Sequence, residues 1–343
     1  MAVPPVFLSH PSSLEHDTGA HPEAAARISA IERELASLEW LGFERITSPA
    51  VERTALEAIH PPDYIDAIET ACADGTRYLD IDTVISSGSW EAALHGSGGA
   101  VRLVELLLDG SAPTGFSAHR PPGHHAERAR PGGFCLFNHI AVAARHAIDK
   151  HSLKRVMIFD WDVHHGNGTN DIFHSSREVL YVSIHQSPLY PGTGPASDTG
   201  TGEGEGFTVN LPVPPGADDS VFRSLVEYVV VPLARAFEPQ LVLVSAGYDA
   251  HRDDPLANCL VTDEGFRSMA SSLARVSAEL EAPVGAVLEG GYALGPLARS
   301  VAVTMETLAH DAGQIAEEEP ELDPLARHAR ERLAKWWPAL GQA

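Results

Sequence analysis

Cysteine is nearly absent: Cys72, Cys135 and Cys259 lie far apart, with no CxxC pair among 343 positions. That excludes a disulfide framework and a thiolate metal site, and it predicts a reducing, cytoplasmic setting. Basic residues are scarce too. Lys and Arg total 24 against 47 Asp and Glu, a net charge of -23, and no basic cluster is available to track phosphates. Direct nucleic-acid binding is therefore not expected. The acidity reads equally well as a solvated surface or as an attraction for cationic substrates. Long apolar runs are also missing: none approaches the roughly 18 residues of a membrane span. The start, MAVPPVFLSH, has no charged and then apolar leader. The expectation is a chain with no membrane segment and no export signal.

What is present is the composition of a globular core, 44% apolar and 21% charged. Short apolar runs at Val156 to Phe159, Val179 to Ile184, Leu241 to Ser245 and Val284 to Leu288 read as strands buried on both faces. Helical faces alternate with them. Phe266, Met269, Leu273, Val276 and Leu280 recur at steps of three and four, as do Ile28, Ile31, Leu35 and Leu38, and Phe222, Leu225, Val229 and Leu233. Strands alternating with helices predict an α/β fold with a single open, mostly parallel sheet and helices on both faces.

No fixed-period repeat or linker divides the chain, so one domain over 1–343 is expected. Its motifs fall within about 21–310, followed by a tail, 311–343, with an acidic stretch at Glu317 to Glu321. A short helix from Arg327 to Leu340 would carry Trp336 and Trp337 and dock on the body; a contact in a homo-oligomer is the alternative. Gln186 to Gly206, rich in Gly, Pro, Ser and Thr, is too long for an idle connection and reads as a rim or lid. Its GTGTGEGEG run precedes a probable strand, FTVNLPV, rather than opening a helix, so it lacks the context of a dinucleotide loop.

The chemistry concentrates where strands end. After VMIF come Asp160, Trp161, Asp162, Val163, His164, His165, Gly166 and Asn167. On an extended segment Asp160, Asp162 and His164 point the same way. Charges gathered at a buried strand end are costly unless paired or bound to a cation. Asp249, after LVLVSAG and Tyr248, completes an Asp-His-Asp set, and three protein ligands leave a position open for water, as in a catalytic zinc site. Asp249 alone would be an ordinary turn residue. RPPGHHA places His124 and His125 together on a loop stiffened by prolines, which argues for proton transfer, since histidine titrates near neutrality. Glu289, Gly290, Gly291 and Tyr292 follow another strand; taken alone, a packing tyrosine is the default there.

In type, order and spacing, RPPGHHA, GGFCLFNHIAVAA, DWDVHHGNGT, SIHQSPLYPGTG, SAGYDAHRDDP and LEGGY resemble the histone deacetylase superfamily, from His21-Pro22-Glu23 to beyond Tyr292. The wording is most similar to class II deacetylases and their bacterial amidohydrolase relatives, among them acetylpolyamine amidohydrolases. The resemblance implies the arginase/deacetylase fold and a metal-dependent hydrolase that cleaves N-acetyl or N-acyl amides of lysine or a small amine. It implies zinc, with iron as the alternative, on Asp162, His164 and Asp249; His124 and His125 as the proton-transfer pair; and Tyr292 as the hydroxyl that polarises the scissile carbonyl. It further implies Phe134 and Tyr190 along a narrow substrate tunnel, and a structural potassium on Asp160, Asp162, His164, Ser183 and Ile184.

Two departures carry consequences. Class I members back the second histidine with aspartate, whereas Asn167 stands here, as in class II. With Asp160 beside His124 and a neutral amide beside His125, the expectation is a cationic His124 and a neutral, basic His125. The polyamine-selective eukaryotic branch carries an acidic gatekeeper where this chain has Leu256, so polyamine preference by that device is not implied. The rivals are an arginase-like dimanganese hydrolase, whose paired-metal pattern is not matched, and a module that binds acyl-lysine without hydrolysis. A metal held by two carboxylates and one imidazole is nearly charge-neutral, so its water needs a separate base.

Overall fold

Runs rich in Val, Ile, Leu and Phe become strands because they can be covered on both sides. The computed structural model describes residues 3–310 and 319–341, and among them eight strands form one sheet. They are β1 (Val6–Ser9), β2 (Glu44–Thr47), β3 (Thr114–Ser117), β4 (Val156–Asp160), β5 (Val179–Gln186), β6 (Thr208–Val213), β7 (Leu241–Ala246) and β8 (Val284–Leu288). Every pairing is parallel, in the order β2-β1-β3-β8-β7-β4-β5-β6. The expected strands are thus all present, and the sheet is wholly rather than mostly parallel.

Alternation along β4 shows how the two faces are filled. Met157 and Phe159 join one core with Ile28, Leu35, Phe266 and Val301. Val156 and Ile158 join the other, with Leu103, Ile140 and Ile65. Helices Ala26–Ser37, Asp263–Glu279 and Leu294–His310 cover the first face; Pro62–Ala73, Ser89–Leu108 and His139–His151 cover the second. The stripe Phe222, Leu225, Val229, Leu233 is buried, but its helix passes through a π-turn at Val226–Val230.

Two expectations change. Leu38 does not continue the apolar stripe: the helix ends at Ser37, the chain turns through left-handed Glu39, Trp40 and Leu41, and Leu38 is left 42% exposed. The C-terminal helix spans Pro324–Leu333, so Trp336 and Trp337 lie beyond it, where Pro338 disfavours helix for the residue before it. Trp337 is nevertheless buried and donates its Nε1–H to the Gly206 carbonyl at 2.8 Å. Gly206 has φ +90°, and a Cβ there would lie 2.5 Å from Trp336 Cγ. Gly206, the last glycine before β6, therefore serves close packing by this tail. The acidic residues Glu317 and Glu318 lie outside the described residues.

The connections position the site. The chain leaves β4 toward β5 on one side of the sheet, while β7, adjacent to β4, leads to β8 on the other. Loops that diverge at neighbouring carboxyl ends open a crevice there. The segments after β3, β4, β5, β7 and β8 carry RPPGHH, DVHH, Tyr190, Asp249 and Tyr292 respectively.

Candidate active site

Asp160 is the last residue of β4, paired in register with Ser183 of β5 and Ser245 of β7. Beyond it the backbone is strapped by its own carboxylates: the Asp162 N–H donates to Asp160 Oδ1 at 3.2 Å, and the His164 N–H to Asp162 Oδ1 at 2.9 Å. Asp249 Oδ1 accepts from the Val163 N–H at 2.9 Å, which ties the ends of β4 and β7 together. As a result Asp162, His164 and Asp249, all buried, each offer one ligand atom within 4.8 Å of the others. Among the described residues this is the one such group.

The approach is close because it is glycine-lined. A Cβ on Gly247 would fall 2.0 Å from Asp162 Oδ2, and one on Gly290 2.2 Å from Asp249 Oδ2. Gly290 also donates its N–H to Asp162 Oδ2 at 2.8 Å. His164 Nδ1 lies 3.0 Å from Asp249 Oδ2 and 3.2 Å from Asp162 Oδ1. Burial opposes charge on that ring, but the two carboxylates prevail and hold its pKa up at about 10. Oxygen and nitrogen donors at this spacing suit a divalent transition ion, which would have to displace that proton from the ring.

The two histidines of RPPGHHA stand side by side, ring centres 4.0 Å apart, in different surroundings. His124 Nδ1 is 3.0 Å from Asp160 Oδ2, and its Nε2 is 3.8 Å from Asp162 Oδ1. Burial disfavours its charged form, yet Asp160 and Asp162 raise its pKa to about 10. His125 Nδ1 meets Asn167 Oδ1 at 2.8 Å, and burial, followed by the charges of His124 and His164, pushes its pKa well below the usual value. The carboxylates around His124 favour its charged form, and burial with the neighbouring imidazoles around His125 disfavours its own.

A cavity of about 230 Å³ opens beside them, lined by His125, Phe134, His164, Tyr190, Leu256 and Tyr292, with Asp82, Gly133 and Leu189. Phe134 stands edge-on to Tyr292 at 5.8 Å between ring centres, and Tyr190 edge-on to His125 at 5.1 Å. Burial keeps the Tyr292 hydroxyl protonated, with a pKa well above the ordinary phenol value. Phe134, Tyr190 and Leu256 line one cavity with His125 and Tyr292.

Sequence reasoning passed over several residues. Glu289 is fully buried, and its Oε2 accepts the backbone N–H groups of Gly123 and His124 at 2.7 and 3.0 Å, so it aims the histidine loop. Asp254 Oδ2 accepts from the Tyr292 N–H at 2.6 Å. Arg27 donates to the carbonyls of Glu289 and Gly291, packs 5.0 Å from the Tyr292 ring centre, and pairs with Glu23, which also pairs with Arg120. Asp82 Oδ1 is buried without a hydrogen-bond partner at the cavity wall. Glu23 and Glu289 lay within quoted motifs, and a carboxylate at a strand end was already the signal used for Asp160. Asp82 carried no such signal.

The model of the histone deacetylase domain matches residues 21–308. Histone deacetylase 14, chloroplastic, of Arabidopsis thaliana is 39% identical over 316 residues, covering 87% of this chain and 75% of the relative. Polyamine deacetylase HDAC10 of Homo sapiens is 36% identical over 317 residues, 87% of this chain and 46% of that protein. The crystal structure of the HDA15 HD domain superposes with a TM-score of 0.90 at 32% identity, covering 98% of this chain and 96% of that one. With the strand-end geometry above, these matches establish that the chain belongs to the histone deacetylase family of metal-dependent amidohydrolases.

Proposed function

We propose that this deacetylase hydrolyses the N-acyl amide of a lysine side chain or of a small amine, with zinc on Asp162, His164 and Asp249. The observation that carries the reading is the convergence of a neutral His125, His164 and Tyr292 on one cavity beside that triad. A divalent cation bound there supplies a Lewis acid for the amide carbonyl and acidifies a water.

The protein's own groups do the rest. His125 Nε2 takes the proton of the attacking water. His124, already cationic, balances the developing charge, and a protonated histidine returns a proton to the leaving amine. Such acid-base help contributes roughly 10² to 10⁴-fold. Tyr292 donates its hydroxyl to the carbonyl oxygen, where negative charge develops. Phe134 and Tyr190 shield the reacting amide from bulk water, and Asp82 Oδ1 is a waiting acceptor for a substrate N–H. Asp160, Asp162, His164, Ser183 and Ile184 would hold a structural potassium, a reading supported by the register of Asp160 with Ser183. Three unpaired, buried cysteines fit a reducing cytoplasm. No helix among the described residues is long and apolar enough to cross a membrane.

The polyamine reading has its own support in the Asp82 carboxylate at the cavity wall and in the name of the human relative. Acetate release over acetyl-lysine peptides, acetylpolyamines and longer acyl-lysines, with metal analysis of the same sample, separates the readings. One transition ion per chain with acetate release supports deacylation. Two ions per chain would favour the dimanganese rival, and tight binding without release a capture module.

A further inference from the structure

We infer that Glu127 is a positioning residue: through Asn167 it fixes the proton of His125 on Nδ1 and leaves Nε2 bare. The inference rests on the reading of His125 as the base.

The problem it solves is the two-sidedness of an amide. Asn167 can face His125 with either its oxygen or its NH2 group, which have nearly the same shape and opposite hydrogen-bonding sense. With the oxygen facing the ring, Nδ1 must donate, so the neutral imidazole carries its proton there and Nε2 keeps a lone pair. With the NH2 group facing the ring, Nδ1 must accept, the proton moves to Nε2, and the ring can no longer take a proton from water. An aspartate in this place has only acceptors and needs no orientation. An asparagine does.

Glu127 supplies it. Its Oε1 accepts from Asn167 Nδ2 at 2.8 Å, while Asn167 Oδ1 lies 2.8 Å from His125 Nδ1. Turning the amide over would set its oxygen against a carboxylate, two acceptors facing with no hydrogen between them. Glu127 is itself held in place. Its N–H donates to the Arg130 carbonyl at 2.9 Å, closing a tight turn. That turn is pinned by His60: Nε2 accepts the Asn138 N–H at 3.0 Å, so Nδ1 bears the proton it gives to the Arg128 carbonyl at 3.0 Å. Asn138 Nδ2 donates to the Ala126 carbonyl at 3.2 Å on the other side. Both histidine relays therefore end on a carboxylate. Asp160 touches His124 directly and makes it cationic; Glu127 acts through a neutral spacer and transmits direction without charge.

The test is kinetics and histidine nitrogen spectroscopy on the full chain, comparing wild type with Glu127→Ala, Asn167→Asp and the double variant. The substrate is whichever acetylated peptide or polyamine the wild type hydrolyses. Glu127→Ala should lower kcat by about two- to tenfold, twofold being the limit of a freely turning amide, with KM and metal content unchanged. Added to Asn167→Asp, the same substitution should cause no loss. In the nitrogen spectrum, the His125 ring, assigned by its disappearance in His125→Ala, should read as Nδ1–H in wild type and shift toward Nε2–H in Glu127→Ala. An equal loss of kcat in both backgrounds, or an unshifted tautomer, overturns the proposal. The spectrum does not depend on turnover, so it judges Glu127 even if His125 proves not to be the base.

Discussion

His124 Nδ1 and Asp160 Oδ2 meet at 3.0 Å at a strand end where neither reaches solvent. Burial works against charge on the ring, and Asp160 with Asp162 overcomes it, so the folded pKa is about 10 against an ordinary value of 6.5. The sign follows from linkage. A raised histidine pKa gives stability that is fully present below the unfolded value and is lost as pH rises through the folded one. In metal-free protein, the stability gap between wild type and His124→Ala should therefore be widest below about pH 6.5 and should narrow toward about pH 10. Urea titrations of both proteins at several pH values measure it; a gap independent of pH would mean His124 is neutral.

In the proposed reaction Tyr292 acts on charge that develops only as the amide is attacked. Its hydroxyl stays protonated and its ring lines the cavity. Tyr292→Phe removes one donor and little volume, so kcat should fall by roughly 10² to 10³-fold while metal content holds. Single-turnover acetate release with metal analysis checks this, and an unchanged rate removes Tyr292 from the mechanism.

Much of this site was legible because chemistry-bearing residues sit within a few positions of a strand end. The periodicity located β4, β7 and β8, and the polar residues just after them form the candidate metal triad or line the cavity. The supporting shell was not legible. Arg27 and Gly291 are 264 positions apart, and a lone arginine in an amphipathic helix reads as a solvent-facing charge until the fold buries it. The placements of Leu38 and Trp336 also failed for physical reasons: an apolar stripe does not register where a helix stops, and left-handed turns or a proline decide that locally. The sequence marks Asn167 as a neutral neighbour of His125, but Glu127 reaches it only through the fold of its loop.

Metal affinity should be strongly pH-dependent. His164 Nδ1, between Asp162 and Asp249, has its pKa held at about 10 by those carboxylates against its burial. Below that pH a cation must expel a proton to bind, so affinity should rise by about tenfold per pH unit on the way up. Zinc titration against a chelator, corrected for the chelator's own protonation, reads the slope. A flat profile from about pH 6 to about pH 8 would show that His164 is already neutral.

At the cavity wall, Asp82 has a pKa raised to about 6, by burial first and by Asp80 second. If its free oxygen accepts a substrate N–H, Asp82→Asn should raise KM more than it lowers kcat. The wild-type kcat/KM should also climb as pH passes through about 6, a step the variant lacks. A pH series of both proteins on one substrate decides; identical profiles would remove Asp82 from binding.

Arg27 joins stability to catalysis. It is fully buried, pairs with Glu23 at 3.2 Å, and donates to the Gly291 carbonyl at 2.6 Å, one residue before Tyr292. Glu23 is also held by Arg120 and His16, and these two keep its carboxyl well below the usual range despite burial. A depressed carboxylate gives stability above its unfolded pKa, lost as pH falls. Removing Arg27 leaves Glu23 with less compensation, and breaking one member of a buried ion pair costs about 3 to 5 kcal/mol. Arg27→Ala should therefore lower the melting temperature most clearly near neutral pH, with a smaller loss in acid, where Glu23 is protonated on unfolding. Arg27→Lys should not restore it, because an ammonium cannot reach the carboxylate and two carbonyls in one plane. If the lysine variant matches wild type in both melting temperature and kcat, Arg27 acts as a simple charge and the planar clamp on the Tyr292 turn is wrong.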